Sequence, residues 1–232
     1  MENLFLRQEM MLGKTATESL MNKRVLLFGL GGVGGACFEA LVRAGIRSIT
    51  LVDGDVFAPT NLNRQILASH LTLGRKKVEV ALERAKEINP NVQIDSIPLF
   101  YDPDNPCIAS FSEYDYVFDA IDDVRAKLDI IEKCYQFGTP IISALGCGNK
   151  IFPEKLQISD IFCTSVDPLA RALRQKLRKR GIKKLNVVYS PEKPLPVQTD
   201  QKEGRVGSVS FVPPVAGYLM AGFAIRDLLN LN

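Results

Sequence analysis

RVLLFGLGGVGGACFEALVRAGIRSITLVD, residues 24–53, is the stretch that decides the fold. Arg24 to Leu30 is a nearly continuous apolar run that ends among glycines, the pattern of a strand covered on both faces in a parallel sheet. Val33, Cys37, Ala40, Leu41 and Ala44 then recur at helical spacing, and Gly45 stands where that helix should end. SITLVD, Ser48 to Asp53, is the next strand. Together they form a βαβ unit.

The same alternation continues outward. Residues 54–73 carry turn residues without a period, which predicts a long functional loop. A helix marked by Val78, Ala81, Leu82 and Ala85 follows and closes at Asn89 and Pro90. NVQIDSIPL, YDYVFDA, a helix from Val124 to Phe137 and TPIISALG repeat the pattern. After Gly148 it loosens into strands at KLQISDI and LNVVYS, a basic helix from Pro168 to Arg180, a polar stretch over Pro191 to Gly207 and a last helix over Val215 to Leu229. The expected fold is α/β, a Rossmann-like, doubly wound, mainly parallel sheet with a smaller C-terminal substrate-binding extension. One continuous domain is expected. It comprises a helical arm at 1–22, a core at 23–150 and a portion at 151–232 that includes a mobile loop at 191–207.

A chain of 232 residues, 46% hydrophobic and 24% charged, has the composition of a globular protein rather than a disordered or fibrous one. MENLFLRQEMMLGK has no apolar signal core and carries Glu2 and Glu9, so no secretion signal is expected. VSFVPPVAGYLMAGFAI, the one apolar stretch to test as a membrane span, is short and holds Pro213 and Pro214, so a buried helix is expected instead. Cys37, Cys107, Cys134, Cys147 and Cys163 form no CxxC pair. That argues against a disulfide framework and against a zinc site, and it suits the cytoplasm.

Gly29, Gly31, Gly32 and Gly34 lie between strand and helix, where glycine lets a nucleotide approach the backbone. Asp53 ends the second strand 24 residues after Gly29, in position to accept hydrogen bonds from a ribose diol. On these residues alone an NAD-dependent oxidoreductase is the natural reading. Asn61, Asn63 and Arg64 in TNLNRQ, with Lys77 in GRKKV, change it. Two cations converging near the helix N-terminus suit a triphosphate, whereas a dinucleotide's diphosphate is already served by the glycine loop. Asp122, at a strand's carboxyl end, is placed to hold Mg²⁺ on phosphate oxygens.

GLGGVG, LVDGD, TNLNRQ, LGRKKVE, INP and DAID, in this order, resemble the superfamily of ThiF, MoeB and the ubiquitin-activating enzymes, which adenylate carboxylates with ATP. SALGCGNK, ISDIFCTSVDPLARALRQKLRKRGI and VVYSPEKP are similar to its tRNA threonylcarbamoyladenosine dehydratase branch, the TcdA/CsdL type. The resemblance implies that Gly32, Asp53, Asn61, Asn63, Arg64, Lys77, Asp122 and Asp123 contact ATP or its Mg²⁺, with Asp55 of LVDGD beside them. It also implies that Arg7, in FLRQEMMLG, reaches the ATP of a homodimer partner. The implied reaction is adenylation of the threonylcarbamoyl carboxylate on tRNA, then ring closure with net loss of water. Arg7, Arg64, Lys77 and Asp122 would be the catalytic groups.

Two competing readings remain open from the sequence. One is adenylation of a ubiquitin-like sulfur carrier, which usually shows paired CxxC zinc ligands and a late transfer cysteine; no cysteine follows Cys163 here. The other is a non-catalytic nucleotide-binding partner of a sulfur-transfer system, so a cysteine desulfurase or sulfur acceptor stays open as a partner. Cys147 and Cys163 are expected to pack, and His70 to make a structural hydrogen bond. The net charge of +3 hides an asymmetry: Arg171, Arg174, Lys176, Arg178, Lys179, Arg180, Lys183 and Lys184 form a run without an acidic residue. Leu169, Leu173 and Leu177 make an apolar stripe with Arg171, Arg174 and Arg178 nearly opposite, so the arginines should face solvent and meet a phosphate backbone.

Overall fold

A computed structural model describes residues 3–196, 198 and 206–231. Seven strands build one sheet in the order β3-β2-β1-β4-β5-β7-β6. They are β1 (Arg24–Phe28), β2 (Ser48–Val52), β3 (Gln93–Ile97), β4 (Tyr116–Asp119), β5 (Ile141–Ala144), β6 (Gln157–Asp160) and β7 (Asn186–Tyr189). All neighbours pair in parallel except β6, which runs antiparallel to β7 at the edge. Strand order reverses between β1 and β4, the place where such sheets open a crevice at their carboxyl ends.

Among the described residues, helices cover both faces. α3 (Gly32–Arg43), α4 (Lys77–Ile88) and α7 (Pro213–Leu228) pack on one side; α5 (Val124–Phe137) and α6 (Pro168–Lys179) pack on the other. The central strands therefore bury nearly every side chain, which is why RVLLF and SITLV lack a polar alternation. α7 lies tightly across α3, with Gly217 against the α3 backbone, and this brings Pro213 up to Gly32. No described helix is long and apolar enough to cross a membrane.

The N-terminal arm forms α1 (Leu6–Leu12) and α2 (Lys14–Met21). Gln8 Nε2 donates to the Ala44 carbonyl at 3.0 Å, and the Phe5 ring sits on Gly45. The arm is thus fixed at the C-terminal end of α3, about 18 Å along the helix from its first glycine.

The basic run departs from expectation. α6 buries Ala170, Leu173 and Leu177, while Leu169 is only partly buried. Arg174 does not face solvent: it donates to the Thr164 hydroxyl and to the carbonyls of Thr164 and Ile161 at 3.1 and 3.4 Å, closing the preceding turn. Arg178 lies over the Phe162 ring, and Arg180 pairs with Glu132 at 2.9 Å, so this run does have an acidic partner. Arg171, Lys176, Lys179, Lys183 and Lys184 are exposed and have no side-chain partner among the described residues. Of the loop expected over 191–207, residues 197 and 199–205 lie outside the described residues.

Candidate active site

The carboxyl ends of the parallel strands open into a cleft of about 720 Å³. Gly29 turns out of β1 with φ +87°, and a Cβ there would meet the Ala120 carbonyl oxygen at 2.8 Å, so the tight strand-to-helix turn needs glycine. Gly31 precedes α3, whose first turn has no side-chain cap; its amides are available to an anion.

Ten of the twelve residues expected at the nucleotide line this cleft: Gly29, Gly31, Gly32, Asp53, Asp55, Asn61, Arg64, Lys77, Asp122 and Asp123. Two do not. Gly34 is buried within α3, and a Cβ there would run into the Gly29 carbonyl; it sets helix-on-strand packing rather than touching a ligand. Asn63 is turned away, donating through Nδ2 to the Ser208 carbonyl at 3.0 Å and accepting from Arg64 through Oδ1. Arg7 is also outside its own chain's cleft, exposed on the arm at the far end of α3.

The charged groups divide the work. Asp53 Oδ2 accepts from the Leu30 amide at 2.6 Å and Oδ1 from the Asp55 amide at 2.8 Å, stapling the glycine loop to the exit of β2. Lys77, only 4% exposed, opens α4 with its ammonium 2.8 Å from Asp55 and 4.0 Å from Asp53. Arg64 spends Nη1 on the Thr60 carbonyl and Asn63, leaving Nε and Nη2 for a ligand. Asp123 caps α5 by accepting from the Ala126 amide at 2.6 Å. Its neighbour Asp122 is thereby spared the cap. It is exposed to the cleft and accepts no hydrogen bond among the described residues.

Several lining residues escape sequence reasoning. Gln65, beside Arg64, lines the cleft, and its buried Oε1 has no hydrogen-bond partner among the described residues. Phe100 and Tyr101 fold back from the end of β3, with Phe100 over Gly54 and Tyr101 edge-on to Phe28 at 5.1 Å. Lys127 and Asp119 pair at 2.7 Å, fully buried behind the cleft, and Lys127 also donates to the Ala144 carbonyl at 3.0 Å, tying β4 to β5. On the β5 side, Gly146, Cys147, Gly148, Leu169 and Val206 extend the cleft toward α6. Burial pushes the Cys147 thiol up to about 11 against the pull of Lys150, so it is a poor nucleophile at neutral pH. Cys163 is exposed, contrary to the packing role expected for it. His70 is exposed too and makes no hydrogen bond among the described residues.

Residues 5–231 match the ThiF family. The chain belongs to that family. Among ThiF relatives, the Bacillus subtilis tRNA threonylcarbamoyladenosine dehydratase is 38% identical over 242 residues, covering 97% of this chain and 94% of its own. The Escherichia coli enzyme of the same name is 39% identical over 166 residues, 72% of this chain and 62% of its own. The crystal structure of the E. coli dehydratase TcdA in complex with AMP superposes with a TM-score of 0.89 at 32% identity, over 97% of this chain and 94% of that one. The ThiF family and these dehydratase relatives favour the ATP reading of the cleft over the NAD reading of the glycines alone.

Proposed function

We propose that this chain is an ATP-dependent dehydratase that adenylates the carboxylate of threonylcarbamoyladenosine in tRNA and closes its ring. The observation that carries the reading is the continuity of the cleft. Its β1–β2 half holds the glycine turn, Asp53, Arg64 and Lys77, and it runs unbroken to Gly148 and to Leu169 at the start of the basic helix. One cavity thus serves a nucleotide and an acceptor entering beside exposed cations.

In this reading Asp53 meets the ribose, the α3 amides and the Lys77 and Arg64 side chains hold the phosphates, and Gly29, Gly31 and Gly32 let them lie against backbone. A carboxylate oxygen of the substrate attacks the α-phosphorus; the bond to the bridging oxygen breaks and pyrophosphate leaves. An atom of the substrate's own carbamoyl group then attacks the activated carbonyl, losing its proton and expelling AMP. The net change in the nucleoside is loss of one water. Lys77, Arg64 and the partner's copy of the arginine at position 7 act by neutralising charge that grows on the phosphates. No step needs Cys147.

Asp122 offers one uncommitted carboxylate at the cleft. This fits Mg²⁺, which takes few protein ligands and completes its shell with phosphate oxygens and water. Bound there, the ion would supply charge compensation for the phosphates. The exposed apolar residues of the arm, Leu4, Leu6, Met10 and Met11, suit the homodimer that Arg7 requires. A cytoplasmic location goes with the tRNA substrate.

Nucleoside mass spectrometry after incubation of modified tRNA with ATP tests the proposal. Loss of one water from threonylcarbamoyladenosine supports it; an unchanged mass, together with adenylation of a sulfur-carrier protein, refutes it. ATP–pyrophosphate exchange that is absent under conditions where ATP binds would reduce the chain to a binding module.

A further inference from the structure

We infer that the exposed ring of Phe152 is a stacking platform for an unpaired base of the RNA substrate, beside the nucleotide held in the cleft; this rests on the tRNA reading above. Placement comes from register. Gln157 at the start of β6 pairs with Tyr189 at the end of β7, so residues just before β6 lie at the carboxyl end of the sheet, where the cleft opens. Phe152 and Lys155 stand there. Another cation–ring pair, Arg178 over Phe162, follows β6 and sits at the opposite end, with Phe162 partly buried against the core.

The backbone that carries Phe152 is held residue by residue. Asn149 donates its amide to the Gly207 carbonyl at 2.8 Å and accepts the Gly207 amide on Oδ1 at 2.6 Å. Lys150, almost fully buried, donates to Asp167 at 3.3 Å and to the Ser190 carbonyl at 3.2 Å. Glu192, also buried, accepts the Ile151 amide on Oε1 at 3.0 Å and the Phe152 amide on Oε2 at 3.1 Å. A buried carboxylate is thus committed to immobilising two apolar residues that remain 39% and 38% exposed. Both side chains are therefore presented on a fixed stretch of backbone.

The chemistry of the patch selects the partner. Lys155 Nζ lies over one face of the Phe152 ring, 4.0 Å from its centroid, so a base would stack on the other face with a cation close by. Single-stranded nucleic acid presents that pairing in return, a base face next to a phosphate. A ring fixed before binding loses little freedom when a base stacks on it. Asp167, held by Lys150, also caps α6, so the platform and the first turn of the basic helix share one anchor.

Binding of a stem–loop RNA carrying threonylcarbamoyladenosine in its loop, followed by fluorescence anisotropy with the full-length protein, tests this. Phe152→Ala and Phe152→Leu should each weaken binding about tenfold, the size of one lost stacked base, while Phe152→Tyr retains it. ATP affinity and the salt dependence of RNA binding should stay at wild-type values, because the lost contact is uncharged and outside the nucleotide half; Phe152→Ala lowers the melting temperature more than Phe152→Leu does, so the comparison rests on Phe152→Leu. A fully paired RNA should bind wild type and Phe152→Leu alike. Wild-type affinity of Phe152→Leu for the stem–loop, or an equal loss on the duplex, overturns the platform and leaves the dehydratase reading standing. Failure of the wild-type protein to bind the stem–loop overturns both.

Discussion

The Lys77 ammonium lies 2.8 Å from the Asp55 carboxylate, the lysine nearly inaccessible and the aspartate about half exposed. A buried cation whose nearest partner is an open carboxylate suits the phosphate-binding role proposed for Lys77. Lys77→Met should lower ATP–pyrophosphate exchange by about 10²–10³-fold, the usual cost of removing one transition-state charge. Asp55→Asn should leave a smaller defect, since the lysine survives. Equal losses in the two variants would show that the pair serves folding and not phosphate.

The cations of the basic helix divide into those with a protein partner and those without one. Arg171, Lys176 and Lys179 are unpaired among the described residues, whereas Arg174 closes the Ile161–Thr164 turn. Reversing the first three to glutamate should weaken tRNA binding at least about tenfold and flatten its salt dependence by roughly one unit of slope per residue, with ATP affinity unchanged. Arg174→Ala should instead lower the melting temperature. A filter-binding titration across salt, read beside thermal melts, separates the two outcomes.

Arg7 sits at the end of α3 remote from the glycine turn, too far to serve its own site. Mixing inactive Arg7→Ala and Lys77→Met proteins should therefore restore activity, because a mixed dimer holds one intact site. Random exchange would return about a quarter of wild-type turnover. No recovery, with mixed dimers demonstrated by mass spectrometry, would mean that Arg7 does not act across the interface.

Glu39 joins α3 to α4 through Arg43 at 2.7 Å and Arg84 at 3.3 Å. Burial pulls its carboxyl upward, but hydrogen bonds from Arg84 and Arg43 outweigh that and hold it below the ordinary carboxylate range. The ionised form is therefore favoured by folding. Its contribution is present above the unfolded value of about 4.3 and is lost as pH falls through the lower folded value. Glu39→Gln should cost about 2 kcal/mol at pH 7, from lost charge-assisted hydrogen bonds, and the difference should shrink toward pH 3. Chemical denaturation of both proteins across that range measures it; a pH-independent difference would point to packing.

The run from Arg24 to Asp53 specified its own strand, helix and strand, because apolar periodicity and the turn at Gly29 depend on local backbone geometry and on burial common to any parallel sheet. Arg64, Lys77 and Asp122 were also legible. Each follows a strand, and parallel topology delivers such residues to one end of the sheet. What the sequence left undecided is which way each side chain turns once there. Gly34 and Asn63 belong to the right segments, yet Gly34 lies in the packing of α3 on β1 and Asn63 turns toward Ser208, while Gln65, Phe100 and Tyr101 line the cleft with no local signature. Arg174 is indistinguishable from Arg171 by helical spacing until the Ile161–Thr164 turn arrives beside it. Lys127 and Asp119, or Asn149 and Gly207, find each other only across the finished sheet. Hydrogen-bond partners are chosen by proximity in three dimensions, and that proximity exists only after the layers have packed.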